Sequence, residues 1–141
     1  MSVNSVSVGT AGVSTNASVA ILVGRVLISI LFILAGFGKL TALSGTAAWF
    51  GSIGLPVPEV TAVVVGLVEL LGGLAILVGF QTRVAAIVIA LFTLGATAIA
   101  HLDFSDANNI LALQKNLSIT GGLILLAVLG AGALSVDGRR S

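Results

Sequence analysis

Residues 60–80 read "VTAVVVGLVELLGGLAILVGF" and contain a single charged side chain, the carboxylate of Glu69. All other positions in this stretch are apolar residues, glycine or threonine. About 20 consecutive apolar residues in a helix are long enough to cross the roughly 30 Å hydrocarbon core of a bilayer. The stretch therefore predicts a membrane-spanning helix, and it raises the question of what keeps an acidic side chain inside it.

The composition of the whole chain supports a membrane setting. Of its 141 residues, 57% are hydrophobic and 8% are charged, with a mean hydropathy of +1.23, whereas about a quarter of the residues in soluble domains are charged. The apolar runs are continuous and lack the alternation typical of a membrane barrel. We therefore predict an all-α membrane protein, a four-transmembrane-helix antiparallel bundle. Its domain covers residues 18–137, with spans at 19–38, 60–80, 84–102 and 117–134.

The regions outside the spans are short. Residues 1–17 read as a flexible polar tail and residues 138–141 as a C-terminal tail. The connection between the first two spans contains Trp49 and Phe50, followed by "LPVPE" at 55–59. Trp is enriched at headgroup depth, and a proline disfavours helix in the residue before it. We therefore expect an interfacial segment there that ends near these prolines.

Basic residues predict the orientation in the membrane. Four arginines belong to the face that carries both termini, whereas Lys39 and Lys115 belong to the opposite face; the arginines are Arg25, Arg83, Arg139 and Arg140. Under the positive-inside rule, both termini are cytoplasmic. The net charge of +1, without a basic cluster, argues against a nucleic-acid partner. The lack of cysteine means that this chain cannot itself perform thiol-disulfide exchange.

Glu69 lies ten residues after Glu59, about 15 Å deep in a helix that starts at the membrane surface. An ionised carboxylate facing lipid at that depth costs roughly 2.5–3.5 kcal/mol. Glu69 should therefore face the interior of the bundle and be either paired or protonated. Arg25 and Lys39, 14 residues apart on nearly the same face of the first span, are both candidate partners.

Further polar residues collect at the outer ends of the third and fourth spans. Together with Lys39 and Glu69 they predict one polar pocket in the outer half of the bundle; they are His101, Gln114, Lys115 and Asn116.

Structural alternatives remain open for each of these residues. Arg25 and Glu69 form a structural ion pair in one alternative, and the two lysines are interfacial anchors in another. For His101 the alternative is a solvated residue at a helix end, which the neighbouring Asp103 favours, and for Asn116 it is a helix cap.

Glycine is frequent within the predicted spans, with 18 in the chain. In membranes, small residues allow helix backbones to approach closely. Gly72, Gly73, Gly121 and Gly122 therefore predict packing surfaces.

In order along the chain, several short motifs resemble those of the DoxX family of small bacterial membrane proteins. They are Arg25, "AGFGKL" at 35–40, "IGLP" at 53–56, "VELLGGLAILVGFQTRVAA" at 68–86 and "QKNLSITGGLILLAVLGAGALSVD" at 114–137. The resemblance implies a four-helix protein of the bacterial inner membrane that is linked to redox chemistry of quinones or sulfur compounds. By family motif, it marks Arg25, Lys39, Glu69 and Asn116 as functional positions.

Two classes of function follow from these observations. In the first, the chain is a redox-linked subunit whose pocket binds a membrane quinone, with Lys39, His101 or Asn116 bonding a carbonyl oxygen and Glu69 as a proton relay. Arg25 is a further candidate ligand-binding residue. In the second class, the chain is a non-catalytic anchor or assembly subunit for a partner enzyme. Besides the lipid bilayer, a redox partner protein or a homodimer is a candidate partner, and no bound metal or flavin is predicted.

Overall fold

The computed structural model describes residues 14–140, and within them all regular secondary structure is helical. Four of the helices are long and apolar enough to span a membrane. In chain order the helices are α1 (Thr15–Thr41), α2 (Leu43–Ser52), α3 (Pro58–Val78), α4 (Thr82–Ala100), α5 (Ala107–Leu129) and α6 (Val136–Arg139). The predicted all-α membrane fold with four spans is confirmed, and the segment between the first two spans forms the short helix α2.

The four long helices run antiparallel in two closely packed pairs, α1 with α3 and α4 with α5. We call the end of the bundle with residues 79–81 and 130–140 the turn end, and the end with residues 42–57 and 101–106 the loop end. The two pairs share a core that includes Phe32, Ile76, Ile89 and Leu123. The short helix α2 packs on α3 at the loop end through Phe50 and Ala62.

The distribution of polar and apolar side chains is the reverse of that in a soluble protein. Large aliphatic side chains such as Leu27 and Leu91 are exposed along the helices, while Arg25, Ser29 and Glu69 are buried. This distribution suits a bundle surrounded by lipid, where the solvent is as apolar as leucine and polar groups find partners only inside the protein.

Helix boundaries differ from the predicted ones mainly in the last span. Helix α5 begins ten residues before the predicted span, at Ala107, because the side chain of Asp106 accepts a hydrogen bond from the backbone N–H of Asn108 and caps the helix. It ends at Leu129, since Gly130 adopts a φ of 79°. The alternative in which Asn116 caps this helix is therefore wrong, and residues 130–134, predicted to be helical, form a loop.

At the N-terminus, α1 begins at Thr15, with Ser14 as its cap. Residues 15–17, which we assigned to the polar tail, are thus helical, whereas residues 1–13 of that tail lie outside the described residues.

Glycines set the spacing between α1 and α3. A Cβ added to Gly36 would lie 2.5 Å from the backbone nitrogen of Leu70 and 2.6 Å from the carbonyl oxygen of Gly66. Of the glycines predicted to pack, Gly72 and Gly73 lie against Ile89 and Ile33, and Gly122 lies against Ile28. Gly121 has open space beside it among the described residues, so its predicted packing role is wrong.

The close approach at Gly36 predicts that one added methyl group destabilises the protein at this glycine but not at a glycine with open space beside it. Gly36→Ala forces the backbones of α1 and α3 apart, and we expect it to lower the free energy of unfolding by about 1–3 kcal/mol. Thermal unfolding in detergent measures the change. Gly38→Ala is the matched control, because a Cβ at Gly38 meets nothing within 4 Å. Equal melting temperatures for the two variants would contradict this account of the helix spacing.

Candidate functional site

Arg25 ties three parts of the chain together at the turn end. Arg25 is 2% exposed, and its guanidinium donates to the carbonyl oxygens of Ile76 and Leu77 at 3.0 and 2.8 Å. It also donates to those of Ala131 and Leu134 at 2.8 and 2.9 Å. The first two carbonyls lie in the last turn of α3, where a helix has no backbone donors left and a cation is favoured. Arg25 therefore holds α1, α3 and the segment after α5 together.

The end of α5 and the start of α4 also lie at the turn end, and both are capped by side chains distant in sequence. Arg83 donates to the carbonyl oxygens of Ala127 and Val128 at the end of α5. The carboxylate of Asp137 accepts hydrogen bonds of 2.8 Å from the backbone N–H groups of Gln81 and Thr82 at the start of α4. Burial by itself would raise the pKa of Asp137, but these hydrogen bonds, with Arg140 nearby, outweigh it and hold that pKa below its usual range.

Glu69 pairs with Lys39 and not with Arg25. The Nζ atom of Lys39 lies 2.8 Å from Oε1 of Glu69. The carbonyl oxygens that bind Arg25 belong to residues seven and eight positions beyond Glu69, about 11 Å further along α3. The alternative of an Arg25–Glu69 ion pair is therefore wrong. Both cations nevertheless bind α3, as their shared face on α1 predicted.

A cavity of about 450 Å³ opens beside this ion pair, between the two helix pairs at the loop end. Its wall is mainly apolar and aromatic, with Phe32, Phe50 and Phe92 among the lining residues and Trp49 of α2 at its side. Along α4 the lining extends from Phe92 to His101, about 14 Å in a helix. This volume and lining are typical of a site for a small organic ligand.

The lining contains most of the candidate residues. Lys39, Glu69, His101, Lys115 and Asn116 all line the cavity. Arg25 and Gln114 do not, and the guanidinium of Arg25 is engaged by backbone carbonyls at the opposite end of the bundle.

Hydroxyl and amide groups support the wall formed by α4 and α5. The side-chain nitrogen of Asn116 donates to the hydroxyl of Thr97 at 2.9 Å, and that hydroxyl donates to the carbonyl oxygen of Thr93 at 2.7 Å. The hydrogen bond between Asn116 and Thr97 joins α4 to α5 beside the cavity. The sequence reasoning missed Thr93 and Thr97, although two threonines four residues apart within an apolar span present one polar face of a helix.

The fold and this site define a class of protein, a four-helix membrane bundle with a lysine–glutamate ion pair, its carboxylate buried, on an apolar cavity. The family model described as DoxX matches residues 20–102, which carry both members of the pair. The chain belongs to the DoxX family.

Three similar proteins extend this comparison. The inner membrane protein YqjF of Escherichia coli (strain K12) is 45% identical over 84% of this chain and 90% of its own length. The inner membrane protein YphA of the same strain is 33% identical over 86% of this chain and 90% of its own length. The Bacillus subtilis (strain 168) protein named "Putative oxidoreductase CatD" is 33% identical over 72% of this chain and 78% of its own length. No solved structure matches the chain.

Arg25→Lys tests the structural role of the guanidinium. An ammonium group is a compact point charge and does not reproduce the planar fork that reaches four carbonyls. We expect a loss of about 3 kcal/mol or more in the free energy of unfolding, since charge-assisted bonds to buried groups are lost. Arg83→Lys is the control, because Arg83 also binds helix-end carbonyls but is exposed, and its loss should be less than half as large. A melting temperature of Arg25→Lys equal to that of the wild type would contradict the assignment.

The Lys39–Glu69 pair predicts non-additive effects of mutation. Lys39→Met leaves the buried carboxylate without its cation, at a cost of about 3–5 kcal/mol. Adding Glu69→Gln in the same chain removes the unpaired charge, so the double variant should be more stable than Lys39→Met alone. Thermal unfolding of the four members of this double-mutant cycle measures the coupling. Simple additivity of the two single effects would show that the side chains do not interact.

Proposed function

We propose that this protein is a membrane subunit linked to redox chemistry and that its cavity binds a small amphiphile of the quinone class. One observation carries the proposal. The ion pair of the half-buried Lys39 and the buried Glu69 lines an apolar and aromatic cavity of about 450 Å³ instead of being enclosed by packed side chains. A purely structural pair needs no such space beside it, whereas ligand sites combine an apolar wall with a few placed polar groups.

Each part of the lining has a matching role toward such a ligand. Phe50, Phe92 and Trp49 offer apolar faces to an aromatic ring. Lys39 offers a charged N–H donor to a carbonyl oxygen, and Glu69 beside it offers a carboxylate for the role of proton relay. Asn116, which donates a hydrogen bond to Thr97, adds a side-chain amide group to the wall. A bound quinone supplies two-electron, two-proton redox chemistry.

The relatives support the redox link and the location. One of them carries the word oxidoreductase in its name, and two are named inner membrane proteins. The proposal puts this chain in the inner membrane of a bacterium, with both termini in the cytoplasm. The names of two relatives support the membrane, and the four arginines of the turn end favour this orientation. In this orientation the cavity lies in the outer half of the membrane. A redox partner protein supplies or removes the electrons.

The test is mass spectrometry of an organic extract from the protein purified in detergent. We expect a quinone enriched near one equivalent in the wild type and about tenfold less in Glu69→Gln, since a charged hydrogen-bonding partner is lost. Yields and melting temperatures are matched between samples. Glu59→Gln is the control, because Glu59 is an exposed carboxylate on the same helix and does not line the cavity.

Titration with a short-chain quinone checks the location of the site. Trp49 is the single tryptophan of the chain and lines the cavity, so its fluorescence reports occupancy directly. We expect saturable quenching in the wild type and in Glu59→Gln, with weaker binding in Glu69→Gln. Only bulk lipid in all extracts, together with linear, non-saturable quenching, would falsify the quinone proposal and favour the anchor-subunit alternative.

A further inference from the structure

His101 ends α4 and makes a defined side-chain contact outside the cavity. Its Nδ1 atom lies 3.1 Å from Oδ1 of Asn109 in the first turn of α5. The side-chain nitrogen of Asn109 in turn donates to the carbonyl oxygen of Asp103 at 2.9 Å. His101 at the end of α4, Asp103 in the loop and Asn109 at the start of α5 are thus joined in one series of hydrogen bonds.

This chain of bonds fixes the position of the imidazole proton. A backbone carbonyl only accepts hydrogen bonds, so the NH₂ group of Asn109 must face Asp103. The oxygen of that amide then faces His101, and because this oxygen is also only an acceptor, Nδ1 of His101 must carry the proton. In the neutral ring, Nε2 is therefore the unprotonated nitrogen and a hydrogen-bond acceptor.

The imidazole of His101 borders the cavity, on which the inference about Nε2 depends. His101 lines the cavity, whereas Asn109, which binds Nδ1, does not. Among residues 14–140, Nε2 has no hydrogen-bond partner. His101 lies at the loop-end limit of the lining, about 14 Å along α4 from the level of Phe92.

We propose that Asn109 is a positioning residue that holds His101 in the Nδ1–H tautomer and so gives the cavity an acceptor for a ligand hydroxyl group. The inference rests on the proposed function and specifies, within the quinone class, which form His101 favours: the dihydroxy, reduced form, which carries a hydroxyl. The ligand O–H donates to Nε2 of His101. A ligand oxygen that lacks a hydrogen has nothing to donate there.

Nitrogen NMR of the imidazole tests the tautomer without any ligand. His101 is the single histidine of the chain, so protein labelled with ¹⁵N-histidine gives the signals of one ring. At a pH where the spectrum itself shows a neutral ring, we expect a protonated Nδ1 and an unprotonated Nε2 in the wild type. Asn109→Ala should give a mixture of both tautomers, and Asn108→Ala, an exposed neighbour, should match the wild type. A wild-type ring protonated on Nε2 would overturn the proposal.

Binding of matched probes tests the consequence for specificity. The probes are a substituted hydroquinone kept reduced with dithionite and its dimethyl ether, both followed through Trp49 fluorescence. We expect the wild type and Asn108→Ala to prefer the hydroquinone by about five- to tenfold, the factor that one hydrogen bond contributes. In Asn109→Ala the preference should fall to about twofold or less, while affinity for the ether is unchanged.

The outcomes separate this inference from the proposed function. Saturable binding of both probes with the same preference in Asn109→Ala as in the wild type overturns the role of Asn109 and leaves the quinone-class site standing. Absence of saturable binding of either probe to the wild type overturns the proposed function, and with it the specificity of His101, whatever tautomer the NMR spectrum shows.

Discussion

The structure depends on one buried guanidinium. Arg25 donates to four backbone carbonyls that belong to α3 and to the segment after α5. In a bilayer, neither water nor lipid satisfies the last carbonyls of a helix, so a helix end within the membrane needs donors from the protein itself. One side chain on α1 supplies them for two other parts of the chain. The two helix pairs are thereby joined at the turn end by bonds that need no hydrophobic driving force.

That connection explains how the loop end accommodates a cavity. The α1–α3 pair is held by the close backbone approach at Gly36, and the α4–α5 pair by the bond from Asn116 to Thr97. With the pairs joined at the turn end, the space between them at the loop end stays open without loss of the fold. The ion pair of Lys39 and Glu69 lies on the wall of this space. Structural and candidate functional charges are therefore separated along the bundle axis.

The sequence predicted the four spans because continuous apolar runs permit only helices in a membrane. It also predicted that Arg25, Lys39 and Glu69 belong to one interface, since 14 residues return to nearly the same helix face. It did not predict which cation binds Glu69. Both cations lie on one face of α1, so the cation that pairs with Glu69 depends on the position of α1 along the axis of α3. The contact of Gly36 with Gly66 and Leu70 sets that position. The hydrogen bond between His101 and Asn109 depends on the loop between α4 and α5, and the hydrophobic periodicity of the sequence does not predict the conformation of that loop.

The positions of the carbonyls bound by Arg25 have a consequence for folding. Ile76 and Ala131 lie 51 and 106 residues along the chain from Arg25. Contacts between residues so far apart in sequence close long loops, and such contacts form late because the entropy of loop closure opposes them until the segments between are ordered. The guanidinium therefore completes its bonds only after the later helices have formed, and the first helix is fixed in place by segments far from it in sequence.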